Sequence, residues 1–432
     1  MDYQQSRAYV SDADRYAGGA LDLTNIKELM KRLGNPQDQL KYVHVAGTNG
    51  KGSVIAYLYT TLSEAGYRVG RYISPSVYSY REKMEVAGRS VSREQFAGYV
   101  TRVAAAIEEM TSEGLAHPTP FEIETAVAFL FFAEEKCDLV ILEVGMGGDL
   151  DATNIIKNTV LAVLVPISMD HQAFLGNTLA EIAQKKAGII KPGCSVVTVG
   201  QQPETMEVIR NVCQEKGADL TETDLNSAKA VKEDFAGQTL EYQGETYELS
   251  LAGSYQTENA ALALDALEVL NHKGYPTTVE QRKKGLRETK WNGRLTIIHR
   301  DPLFIVDGAH NPAAADMLED SVRKYFKGRK MYFIMGVFRD KDYSYIIRKL
   351  CPYAEQIVTI ETPDNPRALP AQELAEAVRA CNPHVQAAEN IQDAVNKVFA
   401  MAEREDLILS FGSLSFIGEI TTIVKNREEK NL

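Results

Sequence analysis

A glycine-rich turn between a strand-like run and a helix-like run is the feature that most constrains how this chain can fold. A short run at residues 43–46 that contains two β-branched valines leads into the turn at residues 47–53, and residues 53–62 then have the composition of a helix. This order suits phosphate binding, because glycines let backbone N–H groups approach phosphate oxygens and a helix N-terminus is electropositive. Lys51 adds a positive charge, and the hydroxyl of Ser53 can ligate Mg²⁺.

The turn departs from the common phosphate-loop pattern G-x-x-x-x-G-K-[ST]. That pattern would place a glycine at Val45 and a hydroxyl at Gly52, whereas the hydroxyl here comes one residue later, at Ser53. A glycine-rich turn that holds no ligand therefore stays open as an alternative. The strand and helix on either side of the turn favour phosphate binding.

The size and charge of the chain limit its function. A length of 432 residues exceeds what one hydrophobic core usually serves, so we expect two or three domains. The net charge of -12 argues against nucleic acid as the main partner, and an anionic substrate must be met by local positive groups. The five cysteines lack metal-like spacing, the N-terminus lacks signal-peptide features, and no apolar run approaches the roughly 20 residues of a membrane span. We therefore expect a soluble, cytoplasmic protein.

Strands alternate with helices along most of the chain, which predicts an α/β fold with a mostly parallel sheet. In the first part, strands are expected at residues 42–46, 67–73, 138–144, 159–165 and 195–199. Helices are expected there at residues 25–33, 53–62, 93–113, 121–136, 179–187 and 258–270. Residues 228–251 alternate Thr, Tyr and Val, which predicts a small antiparallel insertion at the edge of this domain.

The α/β pattern restarts after residues 290–294, which have the composition of a linker. Strands are expected at residues 295–299, 303–306, 330–335, 356–360 and 406–411. Helices are expected between them at residues 312–326, 343–350, 372–380 and 391–400. We therefore predict a P-loop-type domain at residues 1–293 and a smaller, Rossmann-like α/β domain at residues 294–432.

Three polar side chains are expected at one edge of the predicted sheet. Glu143 ends an apolar strand, where a buried carboxylate would be costly without a ligand, metal or cation beside it. His171 follows the next strand, and Ser53 follows the glycine turn. Loops after parallel strands meet at the same edge, and serine and glutamate oxygens suit Mg²⁺ beside a triphosphate. Each residue alone also has a structural interpretation. Glu143 could be a solvated residue at a strand end, and His171 could be a structural histidine.

Two further segments admit both a structural and a functional interpretation. Lys185, Lys186 and Lys191 lie near the end of a predicted helix, where favourable interaction with the helix dipole explains them from physics alone. Residues 307–312, Asp-Gly-Ala-His-Asn-Pro, follow a predicted strand and can reach a ligand at the strand's carboxyl end. The alternative for that segment is a helix start capped by Asn311.

Taken together, these motifs resemble the folylpolyglutamate synthase/dihydrofolate synthase family, relatives of the Mur peptide ligases. The resemblance covers most of the chain in the expected order. It rests on residues 47–53, 74–75, 121–122, 143–154, 170–171, 186–191, 256–259, 292–294 and 307–312. Each motif is moderately specific, and their ordered series is very hard to obtain by accident.

The resemblance implies a role for each matched residue. ATP would be held by Asn49, Gly50, Lys51, Gly52, Ser53, Asn259, Arg294, Asp307 and His310. Mg²⁺ would be ligated by Ser53, Glu143 and His171, and Lys186 matches a lysine that is carbamylated by CO₂ in this family and can then support a second Mg²⁺. The catalytic set is Lys51, Glu143, His171 and Lys186. The folate site would be lined by Phe121, Glu122, Asp151, Ala152 and Thr153. The incoming glutamate would be bound by His310 and Ser413.

The chain departs from the family pattern at three positions. Ser76 stands where histidine is usual, Asp149 where arginine is common, and Lys185 where glutamate is frequent. The first two lie near the expected folate site. They therefore leave open which folate is preferred, and they do not affect the expected ATP chemistry.

The resemblance implies an ATP-dependent amide ligase that adds L-glutamate to folates and, as an open possibility, to dihydropteroate, through an acyl phosphate. We expect a monomer without nucleic acid or membrane partners. One rival is a Mur-type ligase for a nucleotide-linked peptide, which generally carries a separate domain before the phosphate loop, where this chain has 46 residues. The other rival is a nucleotide-binding switch or ATPase without ligase chemistry.

Overall fold

The computed structural model describes residues 1–15, 22–235 and 237–431. These residues form two compact units. The first unit comprises Met1–Ser74, Arg81–Ala228 and Glu258–Glu288. The second comprises Pro75–Tyr80, Lys229–Thr257 and Thr289–Leu432.

The first unit holds one large sheet and the helices around it. Its strands are β1 (Tyr42–Ala46), β2 (Val69–Tyr72), β3 (Met84–Val86), β4 (Arg89–Ser90), β5 (Leu139–Glu143), β6 (Thr159–Leu164), β7 (Ser195–Val199) and β8 (Asp219–Thr223). Its helices are α1 (Tyr3–Asp12), α2 (Thr24–Arg32), α3 (Lys51–Glu64), α4 (Arg93–Ser112), α5 (Pro120–Glu134), α6 (Gln172–Leu175), α7 (Leu179–Ala187), α8 (Pro203–Lys216), nearly all of α9 (Gln256–His272), and α10 (Val279–Glu288).

The large sheet has the strand order β4-β3-β2-β5-β1-β6-β7-β8. Strands β2, β5, β1, β6, β7 and β8 pair in parallel, and the β3–β4 hairpin adds antiparallel strands at one edge. Every residue of β1 and β5 is buried, as expected for central parallel strands covered on both faces. The carboxyl ends of β5, β1 and β6 lie side by side, so the loops after them emerge at one edge.

The second unit holds two sheets. Its strands are β9 (Lys229–Asp234), β10 (Gly237–Tyr242), β11 (Glu245–Leu249), β12 (Thr296–His299), β13 (Leu303–Val306), β14 (Met331–Met335), β15 (Gln356–Thr359), β16 (Val385–Ala387) and β17 (Leu407–Phe411). Its helices are α11 (Pro312–Tyr325), α12 (Tyr343–Leu350), α13 (Ala371–Arg379), α14 (Ile391–Met401) and α15 (Ile417–Asn431). The order is β11-β10-β9 in the antiparallel sheet and β12-β13-β17-β14-β15-β16 in the other, where only β12 runs antiparallel.

Alternating side chains of the six-stranded sheet build a separate core on each face. Phe333 and Leu409 point into the core that contains Leu318 of α11 and Leu374 of α13. Their strand neighbours Ile334 and Ile408 belong to the core that contains residues of α14 and α15. Each face is therefore covered by helices, which stabilises a parallel sheet. Among the helices of the described residues, none is both long and apolar enough to cross a membrane.

The predicted fold class is confirmed: a mostly parallel α/β unit precedes a smaller α/β sheet, and a small antiparallel sheet lies between them in sequence. The predicted strands and helices are present with ends shifted by a few residues. The antiparallel residues 229–249 form their own sheet, which groups with the second unit rather than joining the edge of the first sheet. The division at residues 293/294 stays a prediction.

Candidate functional site

Strand register brings the predicted site loops of the first unit to one sheet edge. In the pairing of β1 with β5, Val45 lies beside Glu143, and in the pairing with β6, Ala46 lies beside Leu164. The amide of Val165, which follows β6, donates to the carbonyl of Ala46 at 2.9 Å. The glycine turn, Glu143 and the segment that leads to His171 therefore start from neighbouring strand ends.

The backbone of the turn can be built only with glycine at two positions. Gly47 has a φ of +139°, and a Cβ placed there would lie 2.2 Å from Cγ2 of Val165. Gly50 has a φ of +99°, and its Cβ would lie 2.6 Å from Oδ1 of Asn259. L-residues avoid such φ values, and both contacts are too short for carbon. The backbone of the turn therefore packs closely against its neighbours, among them the buried side chain of Asn259 in α9.

Hydrogen bonds tie the turn to the segment after β6. The amide of Thr48 donates to the carbonyl of Pro166 at 2.9 Å. The hydroxyl of Thr48 donates to the carbonyl of Ser168 at 3.1 Å and accepts from the Ser168 amide at 3.0 Å. The segment that precedes Asp170 and His171 is therefore fixed to the glycine turn.

Lys51 begins α3 beside the buried carboxylate of Glu143. Its Nζ lies 3.9 Å from Oε1 of Glu143 and donates to the carbonyls of Gly47 and Thr48 at 3.4 and 3.3 Å. Oε2 of Glu143 accepts the Ser74 amide at 3.1 Å, and the Glu143 side chain is 8% exposed. Ser53 lies buried in the first turn of the same helix, whose leading N–H groups have no acceptor within the helix. This arrangement combines backbone donors, one cation and one carboxylate at the helix N-terminus.

His171 adopts a left-handed backbone conformation with a φ of +50° and precedes α6. Its side chain is 34% exposed, and Nε2 lies 3.9 Å from Oδ1 of the nearly buried Asp170. Within the described residues, no group of three or more His, Cys, Asp and Glu side chains is arranged to hold a metal ion by itself. A cation at this edge would therefore need further ligands, such as a hydroxyl, phosphate oxygens and water.

Lys186 reaches the glycine turn from the last turn of α7. Its Nζ donates to the carbonyl of Gly47 at 2.8 Å, and the residue is 5% exposed. Burial and the positive charge of Lys51 lower the pKa of Lys186 to about 7, against the opposing effect of Asp170 and Asp151. A large fraction of this amine is therefore neutral near neutral pH, and a neutral amine is a nucleophile. A contribution to the helix dipole alone does not account for this buried contact.

The loop after β5 is organised around the carboxylate of Asp151. Oδ2 of Asp151 accepts the Met146 amide at 2.9 Å, and Oδ1 accepts the amide and hydroxyl of Thr153 at 3.0 and 2.5 Å. Burial raises the pKa of Asp151, and these hydrogen bonds oppose the rise. The Thr153 hydroxyl also lies 2.8 Å from Nε2 of His44. His44 is not among the residues predicted from the sequence, although a single polar residue inside a buried strand is a signal that would have identified it.

Two of the three departures from the family pattern are partners of each other. Nζ of Lys185 lies 3.0 Å from Oδ2 of Asp149, and the Asp149 amide donates to the Lys185 carbonyl at 2.8 Å. A Cβ at Gly188 would lie 2.4 Å from Cβ of Asp149. The loop after β5 is thus packed directly on the end of α7, and the two charge reversals compensate each other.

The residues expected to line the folate divide into two groups. Phe121 stacks on Tyr72 with ring centroids 6.1 Å apart, and a Cβ at Gly145 would lie 2.6 Å from its Cζ. Phe121 therefore lies against the loop that carries Asp151, Ala152 and Thr153. Glu122 is buried, and its side chain accepts the Thr119 amide at 2.7 Å in the capping box of α5. Its visible role is to start that helix.

In the second unit, Asp307 is buried after β13 and organises its own loop. Its two oxygens accept the amides of Leu295 and Ala309 at 2.9 and 2.8 Å. Burial raises the pKa of Asp307, whereas Arg294 lowers it. Nδ1 of His310 donates to the carbonyl of Gly308 at 2.8 Å, because a carbonyl can only accept. Asn311 caps α11 by accepting the Ala314 amide, so the predicted capping role is present.

Ser413 follows β17 in the same unit and is buried. Its hydroxyl accepts the Ser415 amide at 3.3 Å and lies 2.9 Å from the Ser415 hydroxyl. The preceding Gly412 has a φ of +112°, and a Cβ there would lie 2.3 Å from the carbonyl oxygen of Gly336. Close backbone approach between the ends of β17 and β14 therefore fixes where Ser413 stands.

Comparison with known proteins places both units in ligase families. The Mur ligase middle domain family matches residues 45–267, and the Mur ligase, glutamate ligase domain family matches residues 293–414. A dihydrofolate synthase/folylpolyglutamate synthase of Bacillus subtilis (strain 168) is 35% identical over 431 residues, which cover 98% of this chain and 99% of the relative.

Solved structures resemble the chain over nearly its whole length. Mycobacterium tuberculosis folylpolyglutamate synthase complexed with ADP has a TM-score of 0.89 at 31% identity, over 98% of this chain and 99% of that one. E. coli FolC in complex with DHPP and ADP has a TM-score of 0.85 at 28% identity, over 98% of each chain.

Proposed function

Because the chain belongs to the folylpolyglutamate synthase/dihydrofolate synthase family of Mur ligases, we propose that it joins a folate carboxylate to the amine of L-glutamate with ATP. The observation that carries this proposal is the glycine turn with Lys51 at the N-terminus of α3 and the buried Glu143 carboxylate 3.9 Å from Lys51. Backbone N–H groups and a cation beside a carboxylate provide what a metal-bound triphosphate requires.

The residues of the first unit fit a nucleotide with magnesium. The Gly50 position has no space for a side chain, which suits close approach of phosphate, and the donor set of carboxylate and hydroxyl suits a hard cation. Ser53, Glu143 and His171 would hold Mg²⁺, which supplies charge neutralisation at the γ-phosphate. Asn49, Gly50, Gly52 and Asn259 would bind the nucleotide around Lys51. Lys186, as a carbamate, would support a second Mg²⁺.

The reaction proceeds in two displacements. A carboxylate oxygen of the folate attacks the γ-phosphorus of ATP, and the bond from that phosphorus to the β-phosphate oxygen breaks. ADP is the leaving group, and the folate becomes an acyl phosphate. The amine of glutamate, after losing a proton, attacks the acyl carbon, and inorganic phosphate leaves as the amide forms. Lys51 stabilises the charge of the transferring phosphoryl group. No side chain has to form a covalent intermediate, because ATP supplies the leaving group.

The remaining assignments follow from the family resemblance. Phe121, Glu122, Asp151, Ala152 and Thr153 would line the folate, and the contact of Phe121 with the loop of Asp151 supports grouping them. Arg294, Asp307 and His310 of the second unit would contact the nucleotide, and His310 with Ser413 the incoming glutamate. We propose that residues 1–293 form the ATP-binding domain and residues 294–432 the ligase domain of a cytoplasmic monomer.

Product formation tests the function. The purified protein should release ADP only when a folate substrate and L-glutamate are both present. Dihydropteroate and tetrahydrofolate assayed side by side would tell dihydrofolate synthase from folylpolyglutamate synthase, or reveal both activities. ATP turnover that is indifferent to both cosubstrates would favour a nucleotide switch instead. The intact mass with and without bicarbonate would test the carbamate at Lys186.

The catalytic assignments predict the behaviour of three variants. Lys51→Ala, Glu143→Ala and His171→Ala should each reduce ligation by at least about 10²-fold, because each removes charge or a ligand at the transferring phosphate. Lys157→Ala, which removes an exposed lysine paired with Asp38, is the matched control and should ligate normally. Circular dichroism would verify folding, and retained glutamate ligation in all three variants would reject the assignments.

A further inference from the structure

His44 is a buried polar residue that the reaction above does not use. It lies in the middle of β1, between Leu142 of β5 and Ala162 of β6, and is 0% exposed. Burying an imidazole is costly unless its nitrogens are hydrogen-bonded. Nε2 of His44 lies 2.8 Å from Oγ1 of Thr153, whereas Nδ1 has no hydrogen-bond partner in the part of the chain that the structure describes.

Counting protons fixes the direction of this hydrogen bond. Backbone amides donate to both oxygens of Asp151, so the carboxylate acts as an acceptor at each oxygen. The Thr153 hydroxyl has one proton and gives it to Oδ1 of Asp151 at 2.5 Å. The contact between Thr153 and His44 must then use a proton of His44. The imidazole is therefore protonated at Nε2 and donates to Oγ1 of Thr153.

The electrostatic environment agrees with a singly protonated ring. Burial lowers the pKa of His44 to about 3, with a smaller contribution from the charge of Lys191. A neutral imidazole has one N–H, and the structure shows one nitrogen that has an acceptor. The three residues thus form a directed line of donors that ends on the carboxylate.

We propose that His44 is a positioning residue for the folate site: its Nε2–H holds the Thr153 hydroxyl as a donor to Asp151, and this line fixes the orientation of the carboxylate. The inference rests on the proposed function, since it assigns a purpose to residues that line the folate. It adds a residue of β1, the strand that leads into the glycine turn, to the folate side of the site.

The hydrogen bonds of Asp151 lie within its own loop. The carboxylate accepts from the Met146 amide and from the amide and hydroxyl of Thr153, and a backbone hydrogen bond from Gly145 also lowers its pKa. An ionised carboxylate offers about four acceptor positions, so its orientation fixes the shape of this loop. Phe121 provides a flat apolar surface against Gly145 of the same loop. The ligand class that matches this surface is a flat aromatic ring, as in the pterin of a folate.

Substitution of His44 tests the line of donors. His44→Leu removes the Nε2–H at similar volume and should raise the KM for the folate substrate roughly tenfold, which is the usual effect of losing a hydrogen bond in a network around a charged group. The KM for ATP should change by less than about twofold, because the nucleotide contacts are untouched. His44→Gln keeps an N–H donor and should recover most of the loss. Thr198→Val is the matched control, since it removes another buried hydroxyl hydrogen bond in this sheet without contacting Asp151.

The double variant decides whether His44 acts through Thr153. If it does, His44→Leu should add nothing to the effect of Thr153→Val on the folate KM. Additive effects, an equal rise in the KM for ATP, or a failure of glutamine to recover function would overturn the proposal. A wild-type protein without folate-dependent ADP release would instead refute the proposed function.

An experiment without folate completes the test. Imidazole ¹⁵N chemical shifts of the whole protein, assigned with His44→Gln, should show His44 neutral and protonated at Nε2 from about pH 5.5 to 8.5. Protonation at Nδ1, or titration in this range, would contradict the inferred direction of the hydrogen bond whatever the enzyme's substrate.

Discussion

Substitution of Gly50 by alanine should both destabilise the protein and weaken nucleotide binding. Two effects act at this position. A φ of +99° strains any L-residue by about 1–2 kcal/mol. The new Cβ would also lie 2.6 Å from Oδ1 of Asn259, and relieving such an overlap in a packed site costs about 1–3 kcal/mol more. The free energy of unfolding should therefore fall by about 2–5 kcal/mol.

Gly66→Ala is a control that separates the two effects. Gly66 has a similar φ of +91°, and no atom lies within 4 Å of a Cβ placed there. It should therefore lose only the strain energy and bind nucleotide normally. Gly50→Ala should bind an ATP analogue at least about tenfold more weakly, or about 1.4 kcal/mol, because the turn must shift to accommodate the methyl group.

Urea unfolding followed by circular dichroism measures the free energy of unfolding. Calorimetric titration with a non-hydrolysable ATP analogue measures the affinity for nucleotide. The overlap can be removed by Asn259→Ala, so Gly50→Ala made in that background should cost only as much as Gly66→Ala. The reasoning would be refuted if Gly50→Ala and Gly66→Ala had equal effects on unfolding and on nucleotide binding.

Two further predictions concern charges of the first unit. Asp149→Lys and Lys185→Asp should each lower the free energy of unfolding by about 1 kcal/mol, because each places like charges together at a half-exposed pair. The double reversal should restore the free energy of unfolding. Strictly additive losses in urea unfolding would contradict this prediction. Lys191 donates to the carbonyl of Asn154, and burial lowers its pKa from 10.5 to about 8. Between these pH values the unfolded chain binds more protons than the folded one, so the free energy of unfolding of the wild type should rise with pH relative to that of Lys191→Met, by up to about 3 kcal/mol over the interval; a falling or flat difference would be contrary.

Much of the fold follows from patterns that are strong in a single sequence. Buried parallel strands such as β5 and β17 are continuous apolar runs, and the glycine turn marks the link from β1 to α3. Some elements of the structure are not among those predicted from the sequence, and their sequence patterns are weaker. Strand β8 is a polar edge strand with mostly exposed or half-exposed residues, so it has no apolar run to detect.

Two omitted helices had recognisable end signals. Helix α1 is mostly polar, but Asp2 and Gln5 form a capping box at its start. Helix α8 begins with Pro203 and ends at Lys216, before Gly217, whose φ is +59°. Both helices are therefore predictable from the capping residues in the sequence.

The site shows what a single sequence cannot provide. Sequence order placed Glu143 and the glycine turn at one sheet edge, since strand ends can be inferred from apolar runs. The contact of Lys186 with Gly47 joins positions 139 residues apart, and physics alone favoured a helix-dipole role for that lysine. The pairing of Asp149 with Lys185 and the hydrogen bond of His44 to Thr153 are likewise contacts that only the folded chain defines.

A crystal structure with a non-hydrolysable ATP analogue and Mg²⁺ tests the central claim most directly. The account predicts that the triphosphate lies on the backbone of residues 47–53, with Lys51 at its terminal phosphate and the cation bound by Ser53 and Glu143. A triphosphate bound elsewhere, away from Ser53 and Glu143, would contradict the account.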